Sequence, residues 1–417
     1  MNPTIPSQPA LNRSIALLKL EGALTNAIMT MPVITLFWQI SLGMGWGQIV
    51  ALQLVFMVVM IVANIPTGYL ADRISPRKAN MIGDIIAATG WLLYAISPNF
   101  PMAVIAEIVL GLGMATSSDA DKSLLKWYSQ RLSPSKGAAA DVYDHHQGQQ
   151  QLAVLAAGIP SMLIGGWLGL EGARLSMILS AFFTLIGATL VYFMVETGPL
   201  RSNGHAVLTG AWQFTKHAWL DMGGIINYAL KTPRLAWSLV AQAVGSELTH
   251  SSIWLITPML IATGAPANLI GTVWALQLAL SFAGNLLPTL PPINRWYATT
   301  RPHSKFRVGA ILVFSAMLAF AINVNAATVW CFGLMAIARG WFGRVSNPIV
   351  MADTPESMRS TVGSLGSTMY RLLYIAPMLL LWQTADQSYE VVYLWQLVLF
   401  LPLSVAVYNG LNKTHRR

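Results

Sequence analysis

Charge is the scarcest property of this sequence. Only 10% of its 417 residues are charged, against 55% hydrophobic, where a soluble domain carries roughly 25% charged residues. Water is therefore not the main solvent of the folded chain. Cysteine is nearly absent too: the single Cys331 excludes an intramolecular disulfide and any multi-cysteine metal site, and it leaves the redox compartment unread. No glycine-rich phosphate loop ending in Lys-Ser/Thr occurs, so ATP-driven chemistry is not expected within the chain. A nucleophile–base or metal constellation of the kind a membrane-embedded enzyme needs is also missing. Met1 to Ser14 is polar, holds three prolines and leads straight into an apolar segment, unlike a cleavable signal. The first helix is expected to be retained.

What the sequence does have is apolar runs of the roughly 20 residues that cross a bilayer. Between charged or Pro/Gly-rich breaks they fall near 15–39, 48–71, 80–97, 102–125, 148–169 and 173–195, then 236–262, 268–290, 306–322, 326–349, 359–382 and 389–411. They predict an all-α polytopic membrane protein with twelve transmembrane helices. The chain then divides into an N-terminal six-helix bundle over 1–195, a cytoplasmic linker over 196–235 and a C-terminal six-helix bundle over 236–417. Gly198-Pro199 and Thr232-Pro233 are breakers in the linker. Between them Trp212, Phe214, Trp219 and Leu220 alternate with Lys216 and His217, which reads either as a short interfacial helix or as a loop.

The net charge of +9 has a topological meaning. Assigning alternate loops to opposite sides collects 21 of the 25 Lys and Arg residues on one side, among them Arg73, Arg77, Lys78, Lys122, Arg295 and Lys413. The other side has only Arg174, while Arg339, Arg344 and Arg371 fall inside predicted helices. The positive-inside rule places both termini in the cytoplasm, and it accounts for the basic excess without a nucleic-acid partner. Asn12-Arg13-Ser14 and Asn412-Lys413-Thr414 match a glycosylation pattern but lie on the cytoplasmic side, so they should be unmodified.

After the second apolar segment the chain reads Pro66-Thr67-Gly68-Tyr69-Leu70-Ala71-Asp72-Arg73-Ile74-Ser75-Pro76-Arg77-Lys78. This resembles the signature between helices two and three of the major facilitator superfamily, with Ser75 and Pro76 departing from the usual glycine and arginine. Gly68 permits close helix approach, and Asp72 at the membrane edge suits a helix N-terminus. With Arg73 and Arg77 they form an expected conformational latch, whose partner by resemblance is the eleventh helix near Arg359-Ser360-Thr361-Val362. The fourth helix, Glu107 through Gly111-Leu112-Gly113, looks like a second family motif. Ser118-Asp119-Ala120-Asp121-Lys122-Ser123-Leu124-Leu125 is similar to a run in a drug-exporter-like branch. Arg339-Gly340, Asn347-Pro348, Ser364-Leu365 and Tyr370-Arg371-Leu372 also look family-like.

The resemblance implies the major facilitator fold and a secondary transporter that moves a small organic solute by alternating access. Proton-coupled export is the preferred mode and uptake by symport the second. A non-transporting sensor and a polytopic membrane enzyme are the alternatives of another class. The implied partners are a small-molecule substrate, protons and the lipid bilayer, with no cofactor; the expected state is a monomer in a bacterial inner membrane. By resemblance helices one, four, seven and ten line the cavity. That brings Asn26, Thr30, Glu107, Glu247, His250 and Arg339 toward the substrate path, with Trp254 and Trp274 as aromatic walls.

Ionisable groups inside a bilayer cost several kcal/mol unless paired or wetted, so each is a functional candidate. Glu247 and His250 share a helix face roughly 16–21 Å from the cytoplasmic end of the seventh segment, near the midplane of a ~30 Å core. Arg339 and Arg371 are also expected near the midplane. Glu247, when ionised, is expected to pair with one of them. Glu21 is expected ~9 Å into the first segment and Asp84 similarly shallow in the third. Glu107 falls near the outer end of the fourth, and Asp119 and Asp121 near its inner end, where Asp119 and Lys122 read equally as a local pair. His145-His146, beside Asp141 and Asp144, reads as a solvated polar stretch rather than a metal site.

Overall fold

In the computed structural model the described residues are 6–117, 120–133, 136–196, 223–224, 226–352, 354 and 359–414. All regular structure among them is helical. The interfacial helix considered around Trp212–Leu220 lies outside the described residues. The chain divides into two compact units: Met1–Ile34 with Val55–Ala218, and Thr35–Leu54 with Trp219–Arg417.

The first unit contains α1 (Gln8–Thr25), most of α2 (Trp46–Ile74), α3 (Pro76–Ile96), α4 (Phe100–Ser117), α5 (Ala120–Leu132), α6 (Lys136–Leu168) and α7 (Ala173–Tyr192). The second contains α8 (Pro233–His250), α9 (Ile256–Ala262), α10 (Leu269–Leu286), α11 (Pro291–Thr299), α12 (Pro302–Ile322), α13 (Phe332–Ala352), α14 (Arg359–Thr384) and α15 (Tyr389–Thr414). Among the described residues eight helical stretches are each long and apolar enough to cross a membrane: Trp46–Asn64, Pro76–Ile96, Phe100–Leu132, His145–Leu168, Ala173–Tyr192, Leu269–Thr289, Pro302–Ile322 and Tyr389–Thr414. The chain is therefore an all-α, multi-pass membrane protein. Exposed Val58, Val62, Ile96, Phe182, Ile311 and Val405 give it the apolar exterior that lipid requires.

The first, seventh, tenth and eleventh predicted segments are not among those eight stretches. The tenth and eleventh carry Arg339, Arg344, Arg359 and Arg371. The first and seventh are interrupted. After Thr25 the chain turns through residues 29–33 before Ile34–Leu36 and a π-helical stretch Phe37–Ser41; after His250 a 3₁₀ stretch Ser251–Leu255 intervenes. Each break has a proline close by, Pro32 and Pro258, whose missing N–H and bulky ring disfavour a regular turn four residues earlier.

Several boundaries differ from the hydropathy reading. α1 starts at Gln8 rather than near 15, because Leu11, Ile15 and Leu18 are buried against Leu124, Tyr128, Val191 and Met194. Glu21 is thus thirteen residues into its helix, ~20 Å along it, which corrects the ~9 Å expectation. Ser75 caps α3, its Oγ accepting from Lys78 N at 3.4 Å. α11, which falls between two of the hydropathy segments, is a polar-faced helix whose Trp296 and Tyr297 rings pack 6.1 Å from Trp341.

Glycine sets the closest approaches. A Cβ on Gly113 of α4 would lie 2.3 Å from Ala87 N of α3, and one on Gly340 of α13 would lie 1.6 Å from Ser281 O of α10. These helix pairs pack backbone to backbone, the arrangement small residues permit where lipid gives helices no hydrophobic drive to associate.

Candidate functional site

The two interrupted helices hold many of the buried polar groups. In the first unit Asn26 ends α1, donating from Nδ2 to Gly22 O at 2.8 Å with an otherwise exposed side chain. The turn beyond it buries Thr30 completely, its hydroxyl without a partner, and Ser180 Oγ accepts from Met29 N at 3.2 Å. In the second unit α8 carries Glu247 and His250 in its last turn, directly before the 3₁₀ stretch. Interrupted helices at corresponding positions of two halves are where transporters expose backbone polar groups to substrates and coupling ions.

Glu247 is fully buried, and neither carboxylate oxygen makes a hydrogen bond among the described residues, although the Ser251 hydroxyl one turn on faces it. It forms no ion pair with Arg339 or Arg371 in this conformation. Arg339 instead donates from Nη2 to Thr249 O at 2.9 Å and leaves its Nε unpartnered, and its charge lies close to both His250 and Tyr370. Arg371 donates to Ser367 Oγ at 3.0 Å on its own helix. A buried carboxylate requires a counter-charge or hydrogen bonds once ionised. The second unit thus holds an unengaged acid and two arginines engaged by other groups.

Aromatic rings enclose this region. The His250 ring lies edge-on to Tyr370 at 5.4 Å and to Tyr374 at 5.3 Å, so two residues one turn apart on α14 clasp it. Tyr374 Oη accepts from Trp254 Nε1 at 2.6 Å, and the Trp254 ring lies 5.5 Å from Trp38, which belongs to the same unit. Trp274 is buried and donates from Nε1 to Thr257 Oγ1 at 2.9 Å. Glu247, His250, Trp254, Arg339, Arg371 and Trp274 therefore share one unit, whereas Asn26, Thr30 and Glu107 belong to the other.

Glu107 is buried and accepts a short hydrogen bond from Tyr94 Oη. Glu21 and Asp84 are both 3% exposed and within hydrogen-bonding reach of each other, with Asp121 close enough to act on both. Asp119 lies outside the described residues, as do the side chains of Gly68, Asp72 and Arg73. Of the four latch residues Arg77 is placed: it pairs with Glu196 at 2.5 Å and donates to Tyr192 O at 2.6 Å, tying the start of α3 to the end of α7. Lys19 donates to Gln149 and meets His146 Nδ1 at 3.0 Å, so that histidine is engaged with protein groups.

The sequence profile of the Major Facilitator Superfamily matches residues 22–377. The chain belongs to this family. No curated protein matches the sequence of this major facilitator protein. Its fold is similar to that of several solved structures. The nucleoside transporter NupG has a TM-score of 0.71 at 12% identity, over 97% of this chain and 99% of that one. A POT family transporter in complex with a thioalcohol-conjugated peptide scores 0.76 at 10% identity, over 97% and 96%. A bacterial homolog of the human lysosomal transporter Spinster, inward-facing and unoccupied, scores 0.67 at 14% identity, over 98% and 94%. This major facilitator protein is a secondary active transporter of a small solute that works by alternating access, not an enzyme. Among the described residues no three His, Cys, Asp or Glu side chains group as metal ligands.

Sequence reasoning passed over three groups beside these residues. Tyr374 repeats Tyr370 one turn on. Asn80 precedes Asp84 by four residues and so shares its helix face. Trp38 lies just beyond the proline that marks the first break. The first two were legible as i, i+4 pairs; Trp38 required the tertiary fold.

Proposed function

We propose that this major facilitator protein is a proton-coupled exporter of a small organic solute, with Glu247 as the coupling group. The reading includes twelve transmembrane helices in two six-helix bundles, cytoplasmic termini and a monomer in a bacterial inner membrane. It rests on one observation above the others: Glu247 is fully buried beside a helix break with neither oxygen hydrogen-bonded among the described residues, in the unit that supplies Arg339 and Arg371. An ionised Glu247 takes one of these arginines as its partner. Protonation, or an anionic group on the solute, releases it, and each release shifts the balance between two conformations. A differential of about 1.4 kcal/mol changes such a balance roughly tenfold. Export rather than uptake is supported by the resemblance of the Ser118–Leu125 run to exporters.

Everted vesicles carrying the protein test the mode directly. With the lumen acidified by respiration and followed with a pH-sensitive dye, a panel of organic solutes added outside should include at least one that releases protons from the lumen. Proton entry into right-side-out vesicles that accompanies a solute added outside would instead make the protein a symporter. Solute movement with no proton movement in either orientation would remove proton coupling.

A further inference from the structure

The first unit holds a buried acid cluster that the Glu247 mechanism does not use. Glu21 of α1 and Asp84 of α3 are each 3% exposed, and their carboxyl groups are within hydrogen-bonding reach of one another. Among the described residues neither makes an ion pair. One oxygen of each, Glu21 Oε2 and Asp84 Oδ2, is buried without a hydrogen bond. Asn80, 1% exposed and one turn before Asp84, lies close enough to act on Glu21, and among the described residues it too makes no hydrogen bond at either Nδ2 or Oδ1.

Among the described residues the surrounding helices supply no cation to this pair. On α1 itself Lys19 is turned toward His146 and Gln149 of α6. From α5 the nearby charge is Asp121, another acid, while the Lys122 side chain is exposed. His145 on α6 meets Gln149 at 3.1 Å. Glu107 of α4 is engaged by Tyr94, and Arg174 of α7 donates to Ala95 O and Ser97 O. Two carboxylates in mutual contact, without a cation and out of water, do not both ionise; one proton held between them turns the repulsion into a charge-assisted hydrogen bond.

We propose that Glu21 and Asp84 hold a single shared proton and form a proton-binding site of the first unit, separate from Glu247. One carboxyl O–H donates to an oxygen of its partner, and Asn80 offers its amide N–H to the remaining lone pairs. The site titrates as a pair rather than as two independent acids. It exists whether or not Glu247 couples transport, so the two readings fail independently.

Infrared spectroscopy of the purified full-length protein at neutral pH reads the proton directly. Wild type should show a protonated-carboxyl carbonyl band that Glu21→Gln/Asp84→Asn abolishes. Glu21→Gln and Asp84→Asn singly should shift that band, since each changes the hydrogen bond of the acid that remains. Asn80→Ala keeps both acids and should shift it too, which preserves the test if a carboxyl variant does not fold. A band unchanged in the double variant, or single variants that leave the other acid at its wild-type frequency, would overturn the proposal. So would a sodium-dependent thermal stabilisation of wild type that the double variant loses, because the pair would then bind a metal cation.

Discussion

The contact between Trp254 and Tyr374 shows how one side chain is fixed here. Trp254 is buried beside Trp38, and its only polar side-chain atom, Nε1, reaches Tyr374 Oη at 2.6 Å. Tyr374→Phe keeps the ring against His250 and removes the acceptor, leaving a buried indole N–H unmatched, which costs about 1–3 kcal/mol. Thermal unfolding of the purified variant should show a lower midpoint than wild type, whereas an unchanged midpoint would show that water or another group replaces the hydroxyl. That Glu247 is buried was legible beforehand, whereas Glu21 and Asp84, expected to lie shallow, are buried as well. What each one touches was not legible. That Glu21 meets Asp84 depends on how α1 and α3 are set in the fold, and that Arg339 bonds to Thr249 O rather than to Glu247 depends on backbone freed near a helix break.

At the scale of elements, glycine decides which helices pack backbone to backbone. Gly113→Ala places a methyl 2.3 Å from the Ala87 backbone, so α4 must move away from α3. Overpacking of this kind costs about 1–3 kcal/mol. Gly148→Ala on α6 is the control, since nothing lies within 4 Å of its added carbon, and the change gains up to about 1 kcal/mol of helix propensity. Comparing the thermal midpoints of the two variants checks this: Gly113→Ala should fall well below wild type, while Gly148→Ala should equal or exceed it. Equal midpoints would mean that α3 and α4 separate without penalty. Hydropathy located the long helices but missed both interruptions, because Asn26–Val33 and Ser251–Leu255 are as apolar as the helices around them. Pro32 and Pro258 were the available signals. The start of α1 at Gln8 was hidden for the opposite reason: its first turns are polar overall, and their single apolar stripe, Leu11, Ile15 and Leu18, becomes meaningful once α5 and α7 are in place.

For the whole molecule, the family could be read in advance from the Gly68 to Lys78 signature, and the profile over residues 22–377 places the chain in it. Substrate and direction are not carried by the fold, since a nucleoside transporter at 12% identity and a POT family transporter holding a peptide at 10% identity both share it. Function therefore turns on how charge is linked to conformation. The central claim is that Glu247 couples protons to movement rather than holding the structure together. Proteoliposomes of wild type and Glu247→Gln, loaded with a solute found in the vesicle screen, separate the two roles. Solute exchange at equal pH requires only alternating access, whereas accumulation against a gradient requires the proton. Glu247→Gln is expected to fold and to exchange solute at near the wild-type rate, but no longer to accumulate it when a pH gradient is imposed. Gradient-driven accumulation with unchanged pH dependence, or the loss of exchange in a well-folded variant, would contradict the coupling role.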